Sequence, residues 1–151
     1  MRRRRACRAL GCLGFGTVGA LTGCLDRSEP SVGLAVVDVH NLRTTPSRCT
    51  VRISREGTRI VDRTVVLDQR DGDRVDGVTI TDERLGDRVA YTTTVTVDDD
   101  PLSETFGSHD AEAFVDDWSS HACYGSSFTI ENARIGHALR TFESCSADVD
   151  G

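Results

Sequence analysis

Thiols are the side chains of this 151-residue chain with the most distinctive chemistry, and three of its six cysteines lie within the first 24 residues. Cys24 follows Leu21, Thr22 and Gly23, and the two small residues before it would let a peptidase approach the backbone at that point. A thiol is also the only side chain of this stretch that can form a stable thioether. The sequence therefore predicts cleavage before Cys24 and covalent modification of its sulfur.

The residues before Cys24 have the order of an export signal. Arg2 to Arg5 and Arg8 form a positive start, no acidic residue occurs before Asp26, and residues 9–21 form a weakly apolar run with four glycines. With Leu21-Thr22-Gly23-Cys24, this segment resembles the signal peptides of bacterial and archaeal lipoproteins. The resemblance implies that residues 1–23 are removed and that Cys24 carries a lipid on the extracytoplasmic face of the cell membrane.

Two alternatives remain open for this segment. The paired arginines resemble twin-arginine export signals, but Ala6-Cys7-Arg8-Ala9-Leu10 replaces the usual hydrophobic pair, so the Sec route also stays open. An uncleaved transmembrane helix over residues 9–25 would have about 17 residues, the lower limit for a bilayer. In either export route Cys7 and Cys12 have no role in the mature chain.

The mature chain is acidic and contains no lysine. Removing residues 1–23 removes five of the 18 arginines and none of the 24 acidic residues, which leaves a net charge of −11. This composition resembles that of secreted proteins from haloarchaea, where salt at about 1 M screens charge repulsion to about 3 Å. An acidic domain of this kind is not expected to bind nucleic acid.

Residues 24–31 are predicted to be the lipidated cysteine and a short tether, residues 32–146 one domain, and residues 147–151 a flexible tail. The seven tether residues after Cys24 span at most about 25 Å. The domain pattern is one of short β-prone runs between turns. Val32–Val39 has apolar side chains at both odd-numbered and even-numbered positions. In Val89–Val97 larger apolar side chains alternate with smaller or polar ones, as in a half-buried strand. Residues 48–55, 59–67 and 78–81 are further predicted strands.

One segment has helical rather than β periodicity. Ala111, Phe114, Val115 and Trp118 recur with the spacing of one helix face, which predicts a helix over residues 110–118. The chain then predicts a hairpin of residues 124–130 and 135–145 around a turn at Asn132–Arg134. About seven strands favour an all-β antiparallel sandwich, immunoglobulin-like, with one short helix; a small β-barrel is the alternative.

Three cysteines remain after Cys24, and outside the cytoplasm two of them should be oxidised to a disulfide. Cys123 and Cys145 are symmetric about residue 134, in the predicted turn, so antiparallel pairing would place them opposite each other. We predict this pair, and we predict Cys49 to be a buried free thiol.

The remaining polar residues predict no metal, cofactor or catalytic site. The four histidines, His40, His109, His121 and His137, lack the Cys-His-Met spacing of the blue-copper lipoproteins found in haloarchaeal membranes. The acidic turn over residues 68–77 departs from the EF-hand pattern and contains Arg70 and Arg74. We interpret this turn and Asp98–Asp100 as solvated loops. No Gly-x-Ser-x-Gly motif or phosphate-binding glycine loop is present.

The sequence therefore predicts a membrane-anchored extracytoplasmic lipoprotein whose domain is a non-catalytic binding or envelope-structural module. Its partners would be the membrane, through the lipid on Cys24, and an unknown envelope protein or small ligand. The alternative is a small-ligand or metal-binding lipoprotein similar to an electron carrier.

Overall fold

The computed structural model describes residues 30–146, which fold as one all-β unit. The predicted signal segment, Cys24, most of the tether and the predicted tail therefore lie outside the described residues. Within them, no helix is long and apolar enough to cross a membrane.

Eight strands form two four-stranded sheets, so the predicted sandwich is confirmed and the described residues form no closed barrel. The first sheet has the order β4-β1-β7-β8 and the second the order β3-β2-β5-β6. The strands of the first sheet are β1 (Gly33–Asn41), β4 (Asp76–Ile80), β7 (Cys123–Ile130) and β8 (Ile135–Phe142). Those of the second are β2 (Ser47–Arg55), β3 (Thr58–Leu67), β5 (Tyr91–Val97) and β6 (Ser103–Gly107).

The first six strands follow the order of an immunoglobulin variable domain. In such a domain strands G, F, C and C′ are neighbours in one sheet and B pairs with E in the other. The order β6-β5-β2-β3 and the antiparallel pair β1–β4 match these positions. The β7–β8 hairpin occupies the side of β1 where strand A would lie, and β7 runs parallel to β1. One pair thus departs from the predicted antiparallel pattern.

The burial of the strands follows from their side-chain periodicity. In β5 the residues Tyr91, Thr93, Val95 and Val97 are buried and alternate with more exposed ones, as predicted. Strand β1 is buried on both faces because its inner face lies in the core while Phe142 covers its outer face beside Val36. Central β1 therefore carries an almost unbroken apolar run.

The predicted helix over residues 110–118 is wrong in its bounds. The helix α1 (Ser108–Phe114) begins two residues earlier and ends before Val115, whose backbone is extended. Ala111 is fully buried, but Phe114 is 72% exposed, so the predicted apolar face does not form. Trp118 packs against the core from the loop that follows, which explains why the spacing imitated a longer helix.

The predicted final hairpin is confirmed, with a register that differs from the symmetry argument. Ile130 pairs with Ile135, and Glu131 N–H donates to Arg134 O at 2.9 Å across the turn. Cys123 therefore lies opposite Phe142 rather than opposite Cys145. Strand β8 ends at Phe142, three residues before the predicted Cys145.

Candidate functional site

The strands place the connecting segments at two opposite ends of the sandwich. The tether end is where the chain enters β1, and it comprises residues 30–32, 56–57, 81–90, 108–122 and 143–146. The loop end comprises residues 42–46, 68–75, 98–102 and 131–134. By strand order, residues 42–46 and 98–102 correspond to the B–C and F–G loops of a variable immunoglobulin domain.

A buried amide joins the segments of the loop end. Asn41, the last residue of β1, is fully buried. Its Nδ2 donates to Thr45 O at 3.0 Å and to Asp68 O at 2.9 Å, and its Oδ1 accepts from Arg43 N–H and from Ser47 Oγ, each at 3.1 Å. Because both sides of the amide are used, Asn41 fixes two connections relative to the end of β1.

Arg43 extends this network to the other two connections. Its side chain is only 12% exposed, and its Nη2 lies 3.0 Å from Asp100 Oδ2. Its Nε donates to Glu131 O at 2.9 Å, and its own carbonyl accepts from Arg70 N–H at 2.7 Å. All four segments of the loop end are therefore joined by side chains that the sequence patterns did not single out. An asparagine at the end of an apolar strand was the available signal.

The predicted acidic turn lines a pocket at this end. This loop-end pocket has a volume of about 320 Å³, and its lining residues are Pro46, Asp68, Gln69, Asp71, Arg74 and Asp76. A second, larger pocket of about 380 Å³ lies at the tether end, where its lining residues are Ala35, Thr81, Asp82, Glu83, Leu85 and Cys145. Asp76 Oδ2 accepts from Asp68 N–H at 2.7 Å, and residues 71 and 74 bridge the turn through their backbones. Three carboxylates against one guanidinium favour a positively charged ligand group.

The carboxylates predicted to be solvated are held to different degrees. Asp98 accepts from Thr50 Oγ1 at 2.8 Å and lies 3.1 Å from Arg48 Nε, while Asp100 pairs with Arg43. Asp98 and Asp100 thus have hydrogen-bonding partners, while Asp98 and Asp99 are exposed and Asp100 is half-buried. Within residues 30–146 no group of three or more His, Cys, Asp or Glu side chains is placed to hold a metal ion.

The predicted disulfide is present at the tether end. Cys123 and Cys145 are bonded with a Cα–Cα distance of 5.2 Å, because the chain turns back after β8. The bond packs on Ala35, Val36 and Phe142 and forms one side of the larger pocket. A Cβ at Gly33 would lie 2.9 Å from Cys123 Sγ and 2.6 Å from Gly86 O, so only glycine allows this close packing.

The rim of the larger pocket carries a tight ion pair. Arg84 donates from Nε and Nη2 to the two carboxylate oxygens of Asp82, each at 2.7 Å. These hydrogen bonds lower the pKa of Asp82 to about 2. The charge of Asp82 is therefore already compensated by Arg84.

Cys49 is buried and free, as predicted. Burial, and to a smaller extent the negative charge of Asp98, raise the pKa of its thiol to about 11. The protonated thiol is a poor nucleophile and a poor metal ligand. Cys49 therefore behaves as a small apolar side chain of the core.

The structure does not bring the four histidines together. His137 stacks on Phe106 with ring centroids 3.8 Å apart, and burial lowers its pKa. His121 packs edge-on against Trp118, His109 lies near Glu112 on α1, and His40 lies over Gly77. Each histidine has its own local packing, and none shares a site with another.

Comparison with known proteins supplies no identity for the chain. No protein-family model matches it, and no curated protein matches it.

Proposed function

We propose that this chain is an extracytoplasmic lipoprotein, held to the membrane through a lipid on Cys24, and that its sandwich is a non-catalytic binding module. The Leu21-Thr22-Gly23-Cys24 motif and the export-signal pattern before it support the anchor. The charge composition supports a haloarchaeal source. The proposal places the lipid within about 25 Å of residue 31, since seven residues can span no more.

One observation favours binding over a purely structural role. The loop-end pocket lies at the end of the sandwich opposite the residues through which the chain enters β1. A module anchored at the tether end therefore presents this pocket away from its attachment point. Asn41 and Arg43 hold the surrounding connections in place, so little order would have to be gained on binding.

The ligand class follows from the charges of the pocket. Asp68, Asp71 and Asp76 outnumber Arg74, and the apolar part of the lining includes Pro46. A ligand with a guanidinium or ammonium group on a small apolar body fits this lining. An arginine or lysine side chain of an envelope protein has that chemistry.

The anchor is tested by fractionation of cells that produce variants of the full chain. Cys24→Ser should move the protein out of the lipid-modified, detergent-phase fraction. Cys12→Ser is the matched control, because it removes a thiol from the predicted signal without touching the modification site. Equal lipid labelling of the Cys24→Ser variant and the unchanged chain would overturn the anchor.

The binding site is tested with arginine amide as the probe, titrated in molar KCl so that unspecific attraction is screened. NMR shifts confined to residues 68–77 and abolished by Asp71→Asn support the site. Asp116→Asn, at the tether end, is the control and should leave the shifts unchanged. Uniform shifts over the acidic surface, or none, would overturn it.

The metal-binding alternative stays a prediction. A visible spectrum and metal analysis of the purified full chain test it directly.

A further inference from the structure

The sandwich has four edge strands, and they differ in how well they are protected. An edge strand exposes unpaired N–H and C=O groups, and proteins normally protect such an edge by shortness, charge, bulges or a covering segment. Strands β4 and β6 have only five residues each. The two long edges are β3, with ten residues, and β8, with eight.

Strand β3 carries several protective features. Its middle contains Asp62 and Arg63, and Arg63 lies opposite the core residue Val51, so a charge occupies the inward-facing side of the edge. A bulge interrupts its pairing with β2 after Ile53. Arg84 Nη2 also donates to Ile60 O at 2.6 Å, which occupies an edge carbonyl.

Strand β8 has none of these features. Its eight residues pair with β7 without a bulge, contain no proline and include one charged side chain, Arg140. That side chain is directed back across the sheet, where it pairs with Asp38 of β1 and lies over Phe142. Within the described residues, the backbone hydrogen bonds of β8 go only to β7 and to Ala122 just before it.

We propose that β8 is an interface between two copies of this chain. The β8 strand of a second copy pairs antiparallel with the β8 strand of the first, and a two-fold axis relates the two copies. The axis would pass near Ala138 or Leu139, and the pairing would join the two first sheets into one of eight strands. The outer-face residues Gly136 and Ala138 are small, which lets the two strands approach without steric conflict.

Charge supports a second copy as the occupant. With the axis at Ala138, Arg140 faces Gly136 of the second copy; with the axis at Leu139, it faces Ala138. Neither register places like charges opposite each other, which would be destabilising. The same operation on β3 would place Asp62 opposite Asp62 or Arg63 opposite Arg63.

The pairing also determines how two anchored copies could share one membrane. A two-fold axis perpendicular to the sheet turns the two tether ends in opposite directions. A pair anchored in one membrane therefore lies with its strands along the surface. The pairing itself does not depend on the anchor.

Covalent trapping tests the interface on the full chain in detergent. Directly opposite residues of an antiparallel pair have Cα atoms about 4.5 or 5.5 Å apart, within the range of a disulfide. Under mild oxidation, Ala138→Cys or Leu139→Cys should give a covalent dimer on a non-reducing gel, each reporting one register. Val66→Cys, which is exposed on the guarded edge β3, is the matched control.

A second variant set needs no added thiol. Ala138→Arg places the new guanidinium opposite its symmetry mate or opposite Arg140, so light scattering should report a shift from dimer to monomer. Val66→Arg should leave the mass unchanged. Trapping at Ala138 or Leu139 several times above the Val66 background supports the proposal. The proposal is overturned if both cysteine variants give no more covalent dimer than Val66→Cys does. It is also overturned if the unsubstituted chain is a monomer and Ala138→Arg leaves its mass unchanged.

Discussion

The two ends of the sandwich are held together by different interactions. At the loop end, the four connections are joined by hydrogen bonds of Asn41 and Arg43. At the tether end, a covalent bond between Cys123 and Cys145 fixes the last segment against β7, and Gly33 allows residues 86 and 87 to pack beside it. The end that carries the candidate ligand pocket thus depends on buried polar side chains, whereas the end at which the chain enters β1 depends on a disulfide. Substitutions at each end can measure these two contributions separately.

Removing the amide of Asn41 should have the largest effect. Asn41→Ala removes a fully buried amide that makes hydrogen bonds with Thr45 O, Asp68 O, Arg43 N–H and Ser47 Oγ. Since each such hydrogen bond contributes roughly 1 kcal/mol, we expect a loss of about 3–4 kcal/mol in the free energy of unfolding. Urea denaturation measures it. Asn132→Ala, at an exposed turn position, is the control and should change stability by less than about 0.5 kcal/mol.

Removing the disulfide should have the next largest effect. The double variant Cys123→Ala, Cys145→Ala opens a loop with a sequence separation of 22 residues. The chain-entropy model gives a loss of about 3 kcal/mol for such a loop. Cys49→Ala removes a buried sulfur without opening a loop, so its loss should be only about 1 kcal/mol. Equal losses in denaturation midpoints for the two variants would contradict a covalent contribution at the tether end.

Salt should affect both ends, because acidic residues cluster at each. At low ionic strength repulsion acts over about 30 Å, and at 1 M over about 3 Å. The Cys24→Ser form of the chain should therefore show a Tm that rises by about 5 °C or more, a change near 1 kcal/mol, as KCl increases from dilute buffer to the molar range. A Tm that stays flat over this range would remove the halophile interpretation while leaving the fold intact.

The smallest effect concerns His137 of β8, whose ring packs against Phe106 of β6 and Phe128 of β7. Burial lowers its pKa below the ordinary value of 6.5, so the unfolded chain takes up a proton first as the pH falls. The stabilisation is fully present above about pH 6.5 and is lost below it. Thermal melts of His137→Leu should show a weaker pH dependence between pH 7 and 5. His109→Leu, at an exposed site on α1, is the control.

Local periodicity predicted the elements whose burial follows from alternation alone. The regular pattern of Val89–Val97 and the short turn around Asn132–Arg134 gave β5 and the β7–β8 hairpin. The bond between Cys123 and Cys145 was also predicted, but the predicted register of β7 and β8 was wrong. Cys123 pairs with Phe142, the last residue of β8, and Cys145 reaches Cys123 because the chain turns back after it. The helix bounds failed because Trp118 is buried by tertiary packing of a loop.

Sequence patterns could not predict the candidate site, because its contacts join residues that are far apart in the chain. Asn41 contacts Asp68, and Arg43 contacts Asp100 and Glu131, over separations of 27, 57 and 88 residues. No local spacing encodes such contacts. The parallel pairing of β1 with β7 is equally non-local, since the two strands are adjacent only because the hairpin returns to the first sheet.

The proposed lipid anchor depends on the state of Cys24, and mass spectrometry of the membrane-bound form measures that state directly. The N-terminal peptide should begin at Cys24, lack residues 1–23 and carry the added mass of a lipid on the Cys24 sulfur. A mature N-terminus at any other residue, or an unmodified thiol at Cys24 in the membrane fraction, would contradict the proposal that this sandwich is a lipid-anchored module.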